Sequence, residues 1–183
     1  MLVNKEKEIV IIGSWADSEY KLSFLRESID RIRKMGDYDI LIVSHIPVPS
    51  SIVKDVEYCI YDKNNPLLKE SEYSQYGCIS NRVWFQFGDY FINKTMPFRH
   101  DYAVWTSMRN AFNFAKSIGK SKAIYIEYDC LVRGDLFKDE MISPLYEFDA
   151  CVIPGNFEDN NSFYFNTFSI DVDMFLKVLN KYN

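Results

Sequence analysis

Apolar residues along this 183-residue chain fall into two patterns, short unbroken runs and longer amphipathic segments. The unbroken runs predict strands that are buried on both faces of a sheet, and apolar residues at three- to four-residue spacing predict helices. We expect strands at 9–12, 39–44, 58–62, 124–127, 149–153 and 162–170, and helices at 20–35, 52–56, 102–118 and 171–179, with a short helix and a turn at Pro144 over 136–145. The alternation predicts an α/β fold with a mostly parallel central sheet flanked by helices.

Several residues mark where the predicted helices begin and end. Gly36 and Gly119 follow the two longest helices and are typical C-caps. Ser50 and Ser51 precede the short helix and are candidates for its N-cap. Residues 63–100 are polar and aromatic without a clear period, which favours an elaborated loop that forms one wall of a site. The alternative for this segment is an aromatic cover over a sheet edge.

The composition is that of one globular domain spanning residues 1–183. Hydrophobic residues make up 48% of the chain and charged residues 26%, which excludes a disordered protein. The net charge of −5 and the lack of a basic stripe argue against nucleic acid or an anionic membrane surface as a partner.

Localisation is predicted to be cytoplasmic. No apolar run approaches the length of a transmembrane segment, and the first residues lack the apolar core of a signal peptide. The four cysteines, Cys59, Cys78, Cys130 and Cys151, form no C-x-x-C pair, which favours reduced thiols.

Glu127 and Asp129 close the strand predicted at 124–127. Because side chains alternate along a strand, both carboxylates are expected on the same side. Such a like-charge pair is unfavourable unless a cation lies between the two acids, and a divalent cation held by one or two carboxylates commonly also binds substrate phosphates. The alternative is a strand end whose two acids are simply solvated.

Other candidate residues follow the remaining strand ends. Ligands of open parallel sheets bind beyond the carboxyl ends of the strands, where the strand order reverses. The candidates there are Gly13, Ser14, Trp15, Ser44, His45 and Asp62. Small residues at 13 and 14 would let a ligand approach the backbone, and Trp15 is either a stacking platform for a base or part of the core or rim. Asp62 is either an acceptor for a base or sugar group or part of a turn, and His45 could contact a ligand phosphate.

The order of these features resembles the glycosyltransferases of the GT-A fold, nearest to their family-two-like group of nucleotide-diphospho-sugar transferases. The resemblance covers about residues 8–155 and rests on a first strand with a small polar loop, a helix with an Arg-Asn pair, and a strand that ends in an acid-x-acid motif. The matching residues are Ile9–Trp15, Arg109, Asn110, Ala115, Gly119 and Tyr125–Cys130.

The resemblance implies a Rossmann-like architecture and a cofactor, Mn²⁺ or Mg²⁺, bound to the diphosphate of a nucleotide-sugar donor. Asp129 would bind the metal, and Glu127 would reach the metal or the ribose through water. The loop 13–15 and Asp62 would face the base, Ser44 would belong to the same nucleotide-binding set, and Arg109 and Asn110 would line the nucleotide. Arg109 could equally form a surface ion pair.

The resemblance also implies two halves, a nucleotide-sugar-binding half at about 8–130 and an acceptor half at 131–183. The second half is short for the family, which leaves open whether the chain is a fragment of a longer protein. Candidates for a catalytic base are Glu158, Asp159, Asp171 and Asp173, and no spacing singles one out. Asp171 and Asp173 are also typical of the first turn of a helix.

Three functions are compatible with these features. The first is transfer of a sugar from a nucleotide-diphosphate sugar to a saccharide or other hydroxyl acceptor. The second is nucleotidyl transfer, which usually needs a glycine-rich basic loop that the segment after Gly13 lacks. The third is a non-catalytic domain that binds a nucleotide-sugar or a glycan. P-loop and ordinary dinucleotide motifs are absent from the sequence.

Overall fold

A central sheet organises the computed structural model, which describes residues 8–63, 100–134, 137–154 and 163–181. Within these ranges six strands are present: β1 (Glu8–Ser14), β2 (Asp39–Ser44), β3 (Tyr58–Tyr61), β4 (Lys122–Glu127), β5 (Ala150–Pro154) and β6 (Phe163–Asp171). The α-helices of the described residues are α1 (Glu19–Met35), α2 (Ser50–Val53), α3 (His100–Ser117) and α4 (Val172–Lys181). A π-helical turn, Phe137–Ile142, and a 3₁₀ turn, Ser143–Tyr146, precede β5.

The strand order is β3-β2-β1-β4-β6-β5. Strands β3, β2, β1 and β4 are parallel to one another, whereas β6 runs antiparallel to both β4 and β5. The chain moves from β1 to β2 on one side, and β4 lies on the other side of β1. The strand order therefore reverses between β1 and β4, and the predicted mostly parallel α/β sheet is confirmed.

The central strands are buried on both faces, as their unbroken apolar runs predict. Val10 and Ile12 of β1 pack on the side of α1, whereas Ile9 and Ile11 pack on the side of α3 and α4. All four side chains are inaccessible to solvent. The two helical layers thus fix the sheet from both sides and leave its carboxyl edge open.

Glycine ends both long helices, as the sequence predicts. The N–H of Gly36 donates to the carbonyl of Ile32 at the end of α1. At the end of α3 the N–H of Lys120 donates to Ala115 and that of Gly119 to Lys116. This is the Schellman arrangement, and Gly119 has the positive φ of +81° that the motif requires.

The structure corrects several predicted boundaries. Helix α2 begins at Ser50 and ends at Val53, so neither Ser50 nor Ser51 is its N-cap. Pro49 holds the cap position instead, because its ψ of 140° places it outside the helix. The short helix and turn predicted at 136–145 are present as the π-helical and 3₁₀ turns, whereas α3 begins at His100, within the segment expected to be irregular.

Some expectations concern residues that lie outside the described ranges. These include most of the loop expected to form a wall of the site, residues 64–99, and also Glu158, Asp159 and Cys78. Among the described helices, none is both long and apolar enough to cross a membrane.

Candidate functional site

An open cavity of about 190 Å³ lies at the carboxyl edge of the sheet, where the strand order reverses. Gly13 and Ser14 of β1 line it, and Gly13 pairs in register with Glu127 of β4. This is the position at which open parallel sheets bind ligands.

The two acids of the acid-x-acid motif both line this cavity. Glu127 is the last residue of β4, and Asp129 lies in the turn that follows. The N–H of Tyr128 donates to the carbonyl of Gly13 over 2.9 Å, and the N–H of Cys130 donates to the carbonyl of Glu127 over 2.9 Å. Backbone hydrogen bonds therefore hold the turn against β1 and keep both carboxylates at one site, as the sequence predicts.

The electrostatics of the pair are unfavourable without a counterion. Burial raises the pKa of the Glu127 carboxyl, and the negative charge of Asp129 raises it further. Asp129 is exposed, whereas Glu127 is mostly buried. Two adjacent carboxylates, one of them largely withdrawn from water, create a site that favours binding of a cation.

The donor set fits a hard divalent cation. Carboxylate oxygens are preferred ligands of Mg²⁺ and Mn²⁺. No group of three or more His, Cys, Asp or Glu residues that could hold a metal occurs in the described part of the chain. A cation at Glu127 and Asp129 would therefore take its remaining oxygens from water or from a ligand, which is how Mg²⁺ is commonly bound with substrate phosphates.

Nitrogen and hydroxyl groups also line the cavity. His45 is buried directly after β2, and Ser107 Oγ of α3 lies 3.3 Å from its Nδ1. The Trp15 ring meets the His45 ring edge-to-face at 6.4 Å. Lys21 at the start of α1 lies 5.7 Å above the Trp15 ring and 2.7 Å from Asp17. The cavity thus combines the two acids at the end of β4 with imidazole, ammonium, hydroxyl and indole groups.

Gly13 is required by a neighbouring side chain. A Cβ at position 13 would lie 2.1 Å from Tyr125 Oη and 2.8 Å from its Cζ. The expectation that the small residue admits a ligand to the backbone is therefore wrong at Gly13, because the hydroxyl end of Tyr125 fills this space.

No family model matches this chain, and no curated protein sequence matches it. A crystal structure described as a nucleotide-diphospho-sugar transferase from Desulfovibrio desulfuricans G20 is similar at 9% identity and a TM-score of 0.48. The alignment covers 91% of this chain and 64% of that one. Core-mannan synthase A (CmsA/Ktr4) of Aspergillus fumigatus, in its Mn/GDP form, is similar at 8% identity and a TM-score of 0.51, over 95% of this chain and 63% of that one.

At this identity the likeness to the mannan synthase shows a shared fold. The chain spans less than two thirds of either solved structure. The fold class expected from the sequence is confirmed.

The predicted site residues divide into two groups at the carboxyl edge. Gly13, Ser14, Trp15, Glu127 and Asp129 line the cavity. Ser44, Asp62, Arg109 and Asn110 are not part of its lining.

Ser44 supports the turn that leads out of β2. Its Oγ donates to the carbonyl of Ile46 over 2.7 Å and accepts from the N–H of Ile46 over 3.1 Å. The side chain is buried, and its contacts fix the backbone from which His45 enters the cavity. Ser44 therefore acts on the cavity through the position of His45.

Asp62 and Asn110 contact each other. Asn110 Nδ2 donates to Asp62 Oδ2 over 3.1 Å, and the N–H of Asp62 donates to the carbonyl of Ser44 over 3.0 Å. The pair ties the end of β3 to α3. Arg109 lies half-buried beside Asn110 on the same helix.

Asp171 and Asp173 lie at the opposite edge of the sheet, which corrects their assignment as candidate bases. Asp171 pairs with Lys122, the first residue of β4, whereas Glu127 is the last. Five residue steps along a strand separate the two edges by about 16 Å. Asp171 Oδ1 accepts from the N–H of Met174, and Asp173 forms an ion pair with Lys116 at 2.7 Å. Both acids stabilise the first turn of α4.

Sequence reasoning did not select several cavity residues. Lys21, Ser107 and Tyr125 are among these residues, whereas His45, for which the sequence indicates contact with a ligand phosphate, also lines the cavity. Tyr125 could have been found, because it lies two positions before Glu127 and therefore on the same face of β4. Lys21 and Ser107 have no comparable signal, since the packing of their helices against the sheet brings them to the site.

Proposed function

We propose that this chain is a metal-dependent glycosyltransferase that moves a sugar from a nucleotide-diphosphate sugar to a hydroxyl acceptor. The observation that carries the proposal is the pair Glu127 and Asp129 in one cavity at the reversal point of the sheet. The fold shared with core-mannan synthase A, a protein described in a Mn/GDP form, supports the proposal.

In this proposal Asp129 and Glu127 hold Mn²⁺ or Mg²⁺ together with the donor diphosphate. When bound, the cation supplies charge neutralisation to the departing diphosphate. Trp15 offers a flat surface to the base, and Ser14 borders the nucleotide. Ser44, Asp62, Arg109 and Asn110 keep the end of β2, the end of β3 and helix α3 in position around the nucleotide.

The reaction breaks the bond between the anomeric carbon and the diphosphate oxygen, and the electron pair leaves with the diphosphate. A new bond forms between that carbon and the acceptor oxygen, whose proton passes to a base or to water. Glu158 and Asp159 stay candidates for the base and lie outside the described residues.

The acceptor is proposed to bind on the side of residues 131–183. A second cavity, of about 290 Å³, begins at Cys130, the residue after Asp129. Phe137, Met141 and Thr167 also line it, so the half after the acid-x-acid motif forms a separate surface next to the metal-binding acids. This arrangement supports a donor half at 8–130 and an acceptor half at 131–183.

We also propose a cytoplasmic location, because the described cysteines Cys59, Cys130 and Cys151 are free thiols.

A thermal-shift panel of UDP- and GDP-sugars, with and without Mn²⁺, tests the function. A ligand at about 100 times its Kd stabilises a protein by about 2.7 kcal/mol, which corresponds to roughly 5–10 °C in Tm for a chain of this size. We expect a shift for at least one donor that depends on Mn²⁺, followed by release of its nucleoside diphosphate in the presence of acceptor or water.

Other results would contradict the proposal in identifiable ways. No shift with any donor would exclude nucleotide-sugar binding. A shift without turnover over hours would favour a non-catalytic binding domain. Release of pyrophosphate from a nucleoside triphosphate and a sugar phosphate would favour a nucleotidyltransferase.

A further inference from the structure

The Tyr125 side chain combines a buried ring with a hydroxyl at the cavity. The ring packs between the sheet and α3, stacked on Phe168 at 5.2 Å, and only 3% of the residue is exposed. Its Oη lies over Gly13, at the point where Gly13 pairs with Glu127, and all three residues line the cavity.

The hydroxyl is not needed for packing. A phenylalanine would fill the same hydrophobic layer, and it would not bury a polar atom. Tyr125 Oη lies against Gly13, and both residues line the cavity. A ligand oxygen in the cavity could accept a hydrogen bond from this hydroxyl.

The chain makes specific room for this hydroxyl. Gly13 is the position at which any side chain would collide with Tyr125 Oη. Glycine in a strand interior weakens the strand, so its presence here is accounted for by the close approach of the hydroxyl.

The packed ring holds the hydroxyl at this point of the cavity. A tyrosine hydroxyl donates a hydrogen bond to an oxygen acceptor.

We propose that Tyr125 Oη donates a hydrogen bond to an oxygen of the bound nucleoside diphosphate, between β1 and the acids of β4. The inference rests on the proposed function, because the acceptor is the donor nucleotide of that reaction. Both a phosphate oxygen and a ribose hydroxyl could accept this hydrogen bond. Tyr125 therefore favours a ligand that places an oxygen acceptor beside Gly13 and Glu127.

The test is a calorimetric titration of the parent and of Tyr125→Phe with GDP and with UDP, each with Mn²⁺. The substitution removes one oxygen and keeps the ring, so the metal-free variant should have the Tm of the parent. We expect its Kd for the nucleotide that the parent binds to rise about tenfold, the usual effect of one lost hydrogen bond.

Tyr38→Phe is the matched control, since Tyr38 is equally buried but precedes β2 at the opposite edge of the sheet. Its Kd should equal that of the parent. The 2′,3′-dideoxy nucleotide identifies the acceptor. If the Kd values of the parent and Tyr125→Phe for it still differ tenfold, the acceptor is a phosphate oxygen. If the two Kd values become equal, the acceptor is a ribose hydroxyl.

Two results would overturn the inference, and they are distinguishable. If the parent binds the nucleotide and Tyr125→Phe binds it equally well, the proposed function stands and the role of Tyr125 is wrong. If the parent binds neither nucleotide with Mn²⁺, the proposed function fails and the inference fails with it.

Discussion

Gly13 bears both on the packing of the core and on the candidate site. Tyr125 Oη would lie 2.1 Å from a Cβ at this position, far inside van der Waals contact. The carbonyl of Gly13 also accepts the hydrogen bond from Tyr128 that holds the acid-x-acid turn. A side chain at 13 would therefore displace Tyr125 next to the backbone contact that holds this turn.

Gly13→Ala should lower the free energy of unfolding by about 1–3 kcal/mol, the usual cost of overpacking a rigid core. Urea denaturation measures this directly. Gly134→Ala is the matched control, because its Cβ would meet only the flexible side chain of Met35 at 3.3 Å. Equal losses for the two variants would show that Tyr125 moves aside without cost.

Glu127→Gln should stabilise the metal-free protein at neutral pH and abolish its response to Mn²⁺. The pKa of Glu127 is raised above its ordinary value of 4.5, first by burial and then by Asp129. A group with a raised pKa contributes favourably to the free energy of unfolding below pH 4.5, and this contribution is lost as the pH rises through the folded-state pKa. The ionised carboxylate therefore destabilises the fold at pH 7.

The measurement is Tm against pH without metal. The increase in Tm of Glu127→Gln over the parent should be largest near pH 7 and should become smaller toward pH 4. The exposed Glu147 provides the control variant Glu147→Gln, which should follow the parent throughout. A lower Tm for Glu127→Gln at pH 7 would mean that the carboxylate already has a stabilising partner in the metal-free protein.

At the scale of elements, the turn after α3 leads directly into β4. Gly119 closes the helix with a φ of +81°, and Lys120 follows it to form a buried ion pair with Asp39 at the start of β2, Nζ to Oδ2 2.6 Å. The C-cap thus connects α3 to the amino edge of the sheet, opposite the cavity.

Gly119→Ala should destabilise the protein by about 1–2 kcal/mol, because a Cβ disfavours positive φ even where space is open. Gly119→Asn should lose less, since asparagine tolerates this conformation better. The comparison requires only thermal or urea unfolding of the two variants. If alanine and asparagine cost the same, backbone conformation is not what selects glycine here.

At the scale of the whole molecule, local patterns predict the strands and helices of the core but not their arrangement. The runs around Ile11 and Ile42 are apolar because both faces of their strands are covered, and periodicity detects this. The antiparallel direction of β6 and its place between β4 and β5 depend on long-range pairing, which no local pattern records.

The candidate site also has a part that local sequence patterns predict and a part that depends on long-range packing. Glu127 and Asp129 could be predicted at the carboxyl edge because they follow a buried apolar run. Asp129 lies in the turn after β4, so backbone hydrogen bonds of that turn, and not strand alternation, bring it to the cavity. The contact between Ser107 and His45 joins residues 62 positions apart, so it depends on how α3 packs on β2. Asp171 was misassigned because its sequence position does not reveal that β6 returns it to the far edge of the sheet.

The cysteines give a prediction for the intact protein. Burial raises the pKa of the thiols of Cys59 and Cys130, which slows their oxidation. Protein purified from a reducing cytoplasm should contain no disulfide among its four cysteines. Mass spectrometry of the unreduced chain should give the full reduced mass, and a loss of two hydrogens per bond would contradict the cytoplasmic proposal.

The central claim is that the acids at the end of β4 hold a divalent metal with a nucleoside diphosphate. The most direct test is calorimetric titration of Asp129→Asn with Mn²⁺ and GDP or UDP, against the parent and the control Asp30→Asn, an exposed position on α1. Asparagine keeps the shape of aspartate and removes its charge. A metal contact is worth several kcal/mol, so Mn²⁺-dependent binding and turnover should fall by orders of magnitude while Tm is preserved and Asp30→Asn behaves as the parent. If Asp129→Asn binds the nucleotide in Mn²⁺ and turns over donor like the parent, Glu127 and Asp129 are a solvated strand end and the account is wrong.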